Sequence, residues 1–394
     1  MKATIDDIHP HGKRVLVRVD FNVPMRDGKI VDDRRIRAAL PTIQALRERG
    51  ARVIVATHLG RPKGKVSPEF STAPLAARLS ELLGAAVAVL PGVVGPEVER
   101  EVNRLEDGDV AMLENVRFEP GEEKNDEAFV EKLAALADLY VNDAFGSAHR
   151  AHASTEGVAH HLSAVGGYLM AKELEALSAV LENPRRPLLA IIGGAKISTK
   201  IGVVENLLKR VDTLWIGGAM ACTFFRAMGR ETGKSLVEED WVETASRLIA
   251  GGGSAAQIRL PVDLVVATEA VAGAATEVVP ATAIPADRMV VDVGPETCKL
   301  IAGACEAAGT VVWNGPLGIY EVEEFSRGTR QVAEALGRSR ATSVVGGGDL
   351  AAALEQAGVA DSISHISTGG GATLEYLEGK ELPGVAALEE KVAL

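Results

Sequence analysis

The chain has 394 residues, a length that suits two domains rather than one. Its net charge of −12 argues against a general binder of nucleic acid or membranes, and no apolar run approaches the roughly 20 residues that cross a bilayer. The first residues lack an apolar signal segment and the three cysteines lack metal-type spacing, so we expect a protein of the reducing cytoplasm.

Short runs rich in Val, Ile and Leu recur along the chain, and a helical pattern follows each of them. This alternation predicts parallel strands that helices cover on both faces. The predicted strands are Arg14–Val19, Arg52–Ala56, Val110–Leu113, Leu139–Asn142, Leu188–Ile192, Thr213–Ile216, Thr310–Trp313 and Thr342–Val345. Amphipathic stretches between them predict helices at Pro74–Leu83, Asp126–Ala137 and Glu239–Ala250. The fold class is therefore α/β with parallel sheets.

A boundary between two domains is predicted near the middle of the chain. The helical run Tyr168–Leu181 ends at a segment with two prolines, which is typical of a linker. We expect an N-terminal domain over residues 1–167, a linker helix or hinge over 168–187, and a C-terminal domain over 188–377. Residues 378–394 form a Pro/Gly turn and a short helix, and their pattern does not say on which domain they pack.

Positive charge and histidine are concentrated in the N-terminal part of the chain. Residues 1–65 carry 15 Lys or Arg against 7 Asp or Glu, and seven of the eight histidines precede residue 162. In an otherwise acidic protein this favours a site for a small, multiply charged anion. A scattered, solvated surface would have the same composition, so the positions of the residues must decide.

Polar residues follow the predicted strands of the N-terminal half, at the points where these strands end. The segments are Arg18–Pro24, His58–Pro62, Glu114–Phe118 and Gly146–His152, with Arg35 on a helical stretch. Because the carboxyl ends of parallel strands meet at one edge, these residues can converge on one basin, and Arg suits bidentate contact with carboxylate and phosphate. A zinc site on the histidines is disfavoured, since their neighbours are Arg rather than Cys or Glu.

Five strands of the C-terminal half end in glycines, and we expect a helix after each. The segments are Ile191–Gly194, Trp215–Gly218, Trp313–Pro316, Val345–Gly348 and Ser367–Gly371. Glycine lets backbone N–H groups approach a phosphate, and a helix N-terminus adds a favourable dipole. A single Gly-Gly pair is more often only a tight turn, but five in one half predict an anion site. The dinucleotide motif Gly-x-Gly-x-x-Gly is absent from the sequence.

Four polar residues near these glycines point to nucleotide chemistry. Lys196 and Lys200 would lie on one face of a first helical turn, where cations are unfavourable unless an anion binds; a solvated face is the alternative. Asp349 follows three glycines and is either a helix N-cap or a ligand of Mg²⁺. Glu321 could accept hydrogen bonds from a ribose.

Taken in order, these segments resemble the phosphoglycerate kinase family nearly from end to end. The matching segments are Arg18–Pro24, Arg35 with Ala38–Thr42, His58–Pro62, Glu114–Phe118, Gly146–Ser154, Gly193–Lys200, Trp313–Glu321, Gly346–Asp349 and Ser367–Val385. The resemblance implies two Rossmann-like three-layer lobes that face a cleft and are joined by a linker helix, with the C-terminal tail returning to the N-terminal lobe. It also implies a glycolytic kinase that transfers a phosphoryl group reversibly between ATP or ADP and the carboxylate of 3-phosphoglycerate.

The resemblance further implies which residues bind each substrate. The residues for 3-phosphoglycerate, or for 1,3-bisphosphoglycerate in the reverse direction, are Asp20, Phe21, Asn22, Arg35, His58, Leu59, Gly60, Arg61, Arg117 and Arg150. The residues for ATP or ADP are Lys200, Glu321, Gly347, Gly348, Asp349 and Leu350, with Asp349 also holding Mg²⁺. The transferring phosphoryl group would be stabilised by Arg35, Lys196, Gly370 and Gly371.

Two positions depart from the pattern of the family. Leu350 stands where relatives usually carry Thr or Ser, so it cannot make a hydroxyl contact to phosphate. Val290 stands where many relatives have a glycine beside the adenine. Both departures concern the fine contacts to the nucleotide and not the reaction.

The implied chemistry needs no general base, because the attacking carboxylate is already ionised at neutral pH. Transfer then depends on positioning and on positive charge, for which Lys196 and Arg35 would come from opposite lobes of a closing cleft. We expect the segment 168–187 to act as the hinge, and a monomer. An NAD-dependent dehydrogenase is the first alternative, and the missing Gly-x-Gly-x-x-Gly counts against it. A catalytically silent scaffold is the second, and it would be expected to lose Lys196, Arg35 or Asp349, all of which are present.

Overall fold

Two parallel sheets of six strands organise the chain, which the computed structural model describes over residues 1–251 and 256–392. The strands are β1 (Arg14–Arg18), β2 (Met25–Arg26), β3 (Lys29–Ile30), β4 (Arg52–Ala56), β5 (Val87–Val89), β6 (Val110–Met112), β7 (Leu139–Asn142), β8 (Ser163–Gly166), β9 (Leu188–Ile192), β10 (Thr213–Ile216), β11 (Gln257–Arg259), β12 (Asp263–Ala267), β13 (Thr276–Pro280), β14 (Met289–Val293), β15 (Thr310–Asn314), β16 (Thr342–Gly346) and β17 (His365–Ile366). All eight predicted strands are present, with ends that differ by at most one residue.

The helices connect these strands and flank the sheets. They are α1 (Arg34–Glu48), α2 (Ala73–Leu83), α3 (Pro96–Val102), α4 (Glu127–Ala134), α5 (Tyr168–Leu181), α6 (Ile201–Leu208), α7 (Ala221–Ala227), α8 (Val242–Ile249), α9 (Pro295–Ala307), α10 (Arg327–Arg338), α11 (Gly348–Gln356), α12 (Gly371–Leu377) and α13 (Pro383–Ala386). Among the described residues, no helix has the length and apolar character needed to cross a membrane.

The chain divides into two units, and each has its own sheet. The first unit is Met1–Glu175 with the stretch that starts at Glu381, and the second is Ala176–Lys380. The boundary falls inside α5, the helix predicted over Tyr168–Leu181. Backbone bonds tie the late stretch into the first unit: the Ala3 nitrogen donates to the Glu389 oxygen over 2.9 Å, and the Gly384 nitrogen donates to the Ala148 oxygen over 2.9 Å.

The sheet of the first unit has the order β5-β6-β4-β1-β7-β8, with every pair parallel. Its strands carry Val, Ile and Leu at consecutive positions because helices cover both faces. Val15, Val17, Val53 and Val55 join residues of α1 and α2 in one apolar core. The chain reverses direction across the sheet between β1 and β7, the kind of point where open α/β sheets bind ligands.

The sheet of the second unit has the order β11-β10-β9-β15-β16-β17. Numbered along the chain, its six strands follow the 3-2-1-4-5-6 order of doubly wound nucleotide-binding folds. Trp313, the largest fully buried side chain, anchors a core between β15 and the helices α9, α10 and α11. The expected α/β fold with two parallel sheets is therefore confirmed.

Three features differ from the sequence expectations. The strands β12, β13 and β14 form a small antiparallel sheet in the second unit, which the search for buried parallel strands missed. The stretch Glu239–Ala250 divides into a 3-10 turn and α8, and α4 ends at Ala134 rather than Ala137. After β15 no helix follows the glycines directly, because an irregular loop runs to the 3-10 turn Glu323–Phe325.

Candidate functional site

A basin of charged residues lies in the first unit, where the strands β1, β4, β6 and β7 end. Each polar segment predicted for the basin begins within a few residues of one of these strand ends. Arg35 belongs to the first turn of α1 and joins the same cluster. Because the four strands are parallel neighbours in one sheet, their carboxyl ends bring these side chains to a common edge.

Asp20 links Arg35 to the rest of the basin. The Arg35 guanidinium donates to Asp20 Oδ1 over 3.0 Å and to the Asn22 backbone oxygen over 3.3 Å. The other Asp20 oxygen accepts from Ser147 Oγ over 3.3 Å. Burial opposes ionisation of Asp20, but the attraction of His58 when it is protonated, and of Arg35 and Arg18, prevails and lowers its pKa. The carboxylate therefore holds Arg35 at the rim of the basin, where about a third of the side chain stays exposed.

The loop after β4 is held tightly and carries His58, Leu59, Gly60 and Arg61. Gly60 has a φ of +60°, and a Cβ there would lie 2.4 Å from the Phe70 ring, so glycine is required. Its nitrogen donates to Asn22 Oδ1 over 2.9 Å. Arg61 is exposed, whereas Leu59 is buried and contributes backbone rather than side chain.

His58 lies at the floor of the basin, where almost none of its surface is exposed. Its Nδ1 is 3.1 Å from an Arg18 nitrogen. Burial lowers the pKa of His58 well below its ordinary value; the attraction of Asp20 opposes this shift, and the charges of Arg18, Arg117 and Arg150 add to it. The imidazole is therefore neutral at neutral pH, and the positive charge of the basin comes from arginine.

Arg117 and Arg150 complete the ring of cations. The Arg117 guanidinium donates to the Gly60 backbone oxygen over 2.9 Å, and its Nε lies 3.3 Å from a Glu123 oxygen. Burial, opposed by Glu123, lowers the pKa of Arg117, and the nearby charge of Arg150 contributes to this shift. Such mutual repulsion among buried cations is relieved when an anion binds.

Several residues that hold this basin in shape were not assigned roles from the sequence. Asn115 donates from Nδ2 to the Leu59 oxygen over 2.7 Å and to the Phe70 oxygen over 2.9 Å, while its Oδ1 accepts from the Arg117 nitrogen over 3.0 Å. Thr57 accepts from the Phe21 nitrogen over 2.9 Å, and the Phe21 side chain is fully buried in the core. The sequence does contain a signal for Asn115, because this residue follows a strand in a segment whose residues do not alternate between apolar and polar.

A cavity of about 490 Å³ lies in the second unit at the carboxyl ends of its strands. Its walls include the turns after β9, β15 and β16, so it occupies the point where the strand order reverses. The predicted nucleotide residues that line it are Lys200, Glu321, Gly347, Asp349 and Leu350. Gly370, predicted to stabilise the transferring group, lines it as well. Gly348 begins the adjoining helix α11 and Gly371 begins α12, while Lys196 is exposed outside the wall.

Close backbone packing explains why two of the turns need glycine. A Cβ on Gly193 would lie 2.1 Å from the Pro316 oxygen and 2.7 Å from the Gly315 oxygen, both of which are backbone atoms. Gly315 itself has a φ of +83°. The backbones that follow β9 and β15 are therefore in direct contact beside the cavity.

The two lysines are placed differently from the sequence expectation. They flank the 3-10 turn Ile197–Thr199 instead of sharing one face of a helix. Lys200 turns back to donate from Nζ to the Gly193 oxygen over 2.6 Å and to the Asn314 oxygen over 3.3 Å. Burial lowers the pKa of Lys200 to about 8, against the attraction of Asp349. Lys200 is thus fixed at the strand ends, while Lys196 remains exposed.

The first turn of α11 carries Asp349 and Leu350, which differ in exposure. Gly347, not Asp349, is the N-cap residue, so the N-cap alternative for Asp349 is wrong. The Asp349 carboxylate is exposed at the cavity and accepts from the Tyr320 hydroxyl over 3.4 Å. Leu350 is fully buried and belongs to the apolar core, so its side chain packs the unit. Val290 and its neighbour Val291 form an apolar part of the wall.

Comparisons with known proteins agree over nearly the whole chain. The family model described as "Phosphoglycerate kinase" matches residues 5–380. The chain is 56% identical to a phosphoglycerate kinase of Moorella thermoacetica, over 99% of this chain and 100% of the relative. It is 54% identical to one of Thermomicrobium roseum, over 98% of this chain and 99% of the relative.

Solved structures give the same result. The phosphoglycerate kinase of Coxiella burnetii is 44% identical and superposes with a TM-score of 0.90, covering 98% of both chains. That of Pyrococcus horikoshii is 36% identical, with a TM-score of 0.87 and the same coverage.

Proposed function

The chain belongs to the phosphoglycerate kinase family, which transfers a phosphoryl group between ATP or ADP and the carboxylate of 3-phosphoglycerate, and we propose which residues serve each part of that reaction. One observation carries the assignment: each unit has a polar site of different chemistry at the carboxyl edge of its sheet. One site is a basin of arginines and the other is a glycine-lined cavity.

The basin is the site for 3-phosphoglycerate. Arg35, Arg61, Arg117 and Arg150 offer planar guanidinium groups, which suit the carboxylate and the phosphate of this acid. Asp20, Phe21 and Asn22 shape the first wall, and His58 with the backbone of Leu59 and Gly60 shapes the second. Support comes from the burial of Arg117, whose charge is unfavourable there until an anion shares the basin.

The cavity is the site for ATP or ADP. Its volume of about 490 Å³ lies within the range of small-molecule sites. We assign the phosphates to the glycine turn Gly347–Gly348 at the start of α11 and to Lys200, and the ribose to Glu321. The apolar wall that includes Val290 suits an adenine ring. Where a glycine would let the ring approach the backbone closely, the valine offers a side-chain contact instead.

Asp349 is the residue that would hold Mg²⁺. Its carboxylate is exposed at the cavity, and no cluster of three or more His, Cys, Asp or Glu suited to a metal occurs in residues 1–251 and 256–392. This donor set fits Mg²⁺, which proteins commonly bind with one or two carboxylates together with substrate phosphates and water. When bound, the ion neutralises negative charge on the phosphate oxygens.

The chemistry asks the protein for position and positive charge rather than for a base. The attacking carboxylate of 3-phosphoglycerate is ionised at neutral pH, so no proton has to be removed. We assign stabilisation of the transferring group to Arg35, to Lys196 and to the backbone N–H groups of Gly370 and Gly371. Lys196 is exposed, and this supports the role because its ammonium group is accessible to a bound substrate.

The segment 168–187 is our candidate hinge. It contains α5, within which the division between the two units falls. The acyl phosphate product is lost to water, so exclusion of solvent before transfer is an advantage. Small-angle scattering should show a smaller radius of gyration when both substrates are added together than with either alone, and an unchanged radius would refute the hinge.

The decisive experiment is ATP-dependent phosphorylation of 3-phosphoglycerate, followed by coupling to NADH oxidation. Arg35→Ala and Lys196→Ala should each lower kcat by about 10²-fold to 10³-fold, because each removes charge that acts on the transferring group. Arg37→Ala, an exposed arginine two residues along the same helix, and Lys209→Ala serve as matched controls.

Wild type without turnover would refute the proposed function and favour a silent scaffold. Full activity in either Arg35→Ala or Lys196→Ala would refute the assignment of that residue. NADH production from 3-phosphoglycerate and NAD alone would instead indicate the dehydrogenase.

A further inference from the structure

A line of hydrogen bonds runs beneath the basin of the first unit and ends at His58. Glu122 Oε1 accepts from Ser154 Oγ over 2.6 Å, and Ser154 Oγ accepts from Arg18 Nε over 2.7 Å. A second nitrogen of Arg18 lies 3.1 Å from His58 Nδ1. All four side chains are buried, with at most 4% of any residue exposed. Buried polar groups in a connected line fix one another's orientation.

The direction of each bond follows from the chemistry of arginine. A guanidinium has five N–H donors and no acceptor, so Arg18 must donate both to Ser154 and to His58. The hydroxyl of Ser154 therefore turns its own hydrogen towards Glu122, and His58 Nδ1 must be the accepting nitrogen. A neutral imidazole carries one proton, which is then on Nε2.

Glu122 is costly to bury and has no contact with the basin itself. Burial raises its pKa, against the attraction of Arg18 and the hydrogen bonds from Ser154. Both of its oxygens are used by Ser154, the second by the Ser154 nitrogen over 2.9 Å. The hydrogen bonds of this carboxylate lead through Ser154 to Arg18, so it stabilises the position and charge of that arginine; it also attracts the charge of Arg117.

We propose that Glu122, Ser154 and Arg18 are positioning residues that fix the proton of His58 on Nε2, so that the imidazole donates this N–H to the bound acid. This inference rests on the proposed function, since it names 3-phosphoglycerate as the acceptor. In this arrangement the His58 N–H is a neutral hydrogen-bond donor for one oxygen atom of the acid, while the arginines supply the positive charge.

Other charged groups act on His58, and they must be separated from this line. Asp20 attracts a proton to the ring, whereas Arg18, Arg117 and Arg150 repel one. Of these, Arg18 is the residue hydrogen-bonded to Nδ1. A change at Ser154 therefore tests the line while it leaves Asp20, Arg117 and Arg150 in place, whereas a change at Glu122 also removes a charge that acts on Arg117.

The first test reads the proton directly. Protein labelled with ¹⁵N in histidine is recorded by two-bond ¹H–¹⁵N correlation, and His58 is assigned by the signals that His58→Gln loses. We expect an unprotonated Nδ1 and a protonated Nε2 at neutral pH, unchanged on mild acidification. A proton on Nδ1, or on both nitrogens, would overturn the proposal because Arg18 could not donate. This reading does not depend on turnover.

The second test measures the consequence for the acid. Ser154→Ala and Glu122→Gln should each raise KM for 3-phosphoglycerate by about tenfold, the effect of one hydrogen bond to a charged group, while KM for ATP and kcat stay unchanged. In Ser154→Ala the Nδ1 signal of His58 should also shift and begin to titrate as Arg18 loses its anchor.

Tyr140→Phe is the matched control. The Tyr140 hydroxyl donates to the Ser154 backbone oxygen over 2.8 Å, so its removal disturbs the same residue but leaves the side-chain line intact. An equal rise in KM in Tyr140→Phe, or an unchanged KM and unchanged His58 spectrum in Ser154→Ala, would overturn the proposal. If Glu122→Gln fails to fold, Ser154→Ala decides alone. Wild type without turnover would refute the proposed function. The ¹H–¹⁵N spectrum would still show which nitrogen of His58 carries the proton.

Discussion

The two proposed anion sites are built from different kinds of group. The basin of the first unit uses charged side chains, and Arg18 and Arg117 are buried to within a few per cent of their surface. The cavity of the second unit uses mainly backbone at glycine turns, with Lys200 as the cation in its wall. One site therefore depends on the cost of burying charge and the other on the close approach of main chain.

This difference predicts where each site is sensitive to change. A basin of side chains is tuned by the charges around it, such as Asp20 beside Arg35 and Glu122 behind Arg18. A cavity of backbone is sensitive to added volume at its tightest turn, since a carbon atom added at Gly193 would meet the backbone oxygens of Gly315 and Pro316. Substitutions that add volume and substitutions that change charge should therefore separate the two sites.

The largest expected effect is on the backbone of the cavity. Gly193→Ala should lower the free energy of unfolding by about 3 kcal/mol, because the new Cβ would overlap the Gly315 and Pro316 backbone oxygens. Gly303→Ala is the control: it adds the same atom in α9 where nothing lies within 4 Å, and it should stabilise slightly. If Gly193→Ala and Gly303→Ala had equal free energies of unfolding in urea, the cavity would not be sensitive to volume in the way that separates it from the basin.

A second substitution separates ligand contact from folding in the same cavity. Gly348 begins α11, and a Cβ there would have nothing within 4 Å. Gly348→Ala should therefore fold at least as stably as wild type, yet raise KM for ATP about tenfold by keeping the phosphates from the backbone. An unchanged KM in steady-state kinetics would mean that the nucleotide does not approach α11 through backbone.

The smallest expected effect concerns charge in the basin. Burial, with the charges of Arg117 and Arg18, lowers the pKa of His152 to about 4 from an ordinary 6.5. Between pH 6.5 and about pH 4, the unfolded chain binds a proton on His152 that the folded chain does not bind. The contribution of His152 to the free energy of unfolding is therefore complete above this range and is lost as the pH falls through it. His152→Gln should remove about 1 kcal/mol of the stability lost between pH 7 and pH 5, allowing for solvent screening.

Urea unfolding at the two pH values measures this difference. A loss in His152→Gln equal to that of wild type would mean that the basin does not repel protons, and it would remove the electrostatic half of the comparison.

Much of the fold could be predicted because buried parallel strands have an unmistakable pattern. Runs such as Leu188–Ile192 are apolar at every position, and all eight strands found this way are present. The short edge strands β5, β11 and β17 were missed, since two or three residues carry no period. The antiparallel strand β13 was missed because most of it is exposed and its pattern resembles a loop.

The residues of the candidate sites could be predicted where they directly follow a strand. The residues that hold them in place from other loops could not. Glycine turns and strand-end arginines are visible in sequence, because topology brings such ends together. Glu122 and Ser154 lie in loops remote from each other in sequence, and only the fold places them behind Arg18. Lys200 turns back to the ends of β9 and β15, and its neighbours in sequence do not reveal that reversal.

The discontinuity of the first unit bears on how the chain matures during synthesis. A ribosome makes residues 1–175 first, but Lys2 and Asn142 bond to backbone oxygens of Leu388 and Gly384, which are made much later. The second unit is one unbroken stretch and lacks nothing once Lys380 has emerged. The unit that is synthesised first is therefore the one that is completed last, which reverses the usual N-to-C order of domain folding.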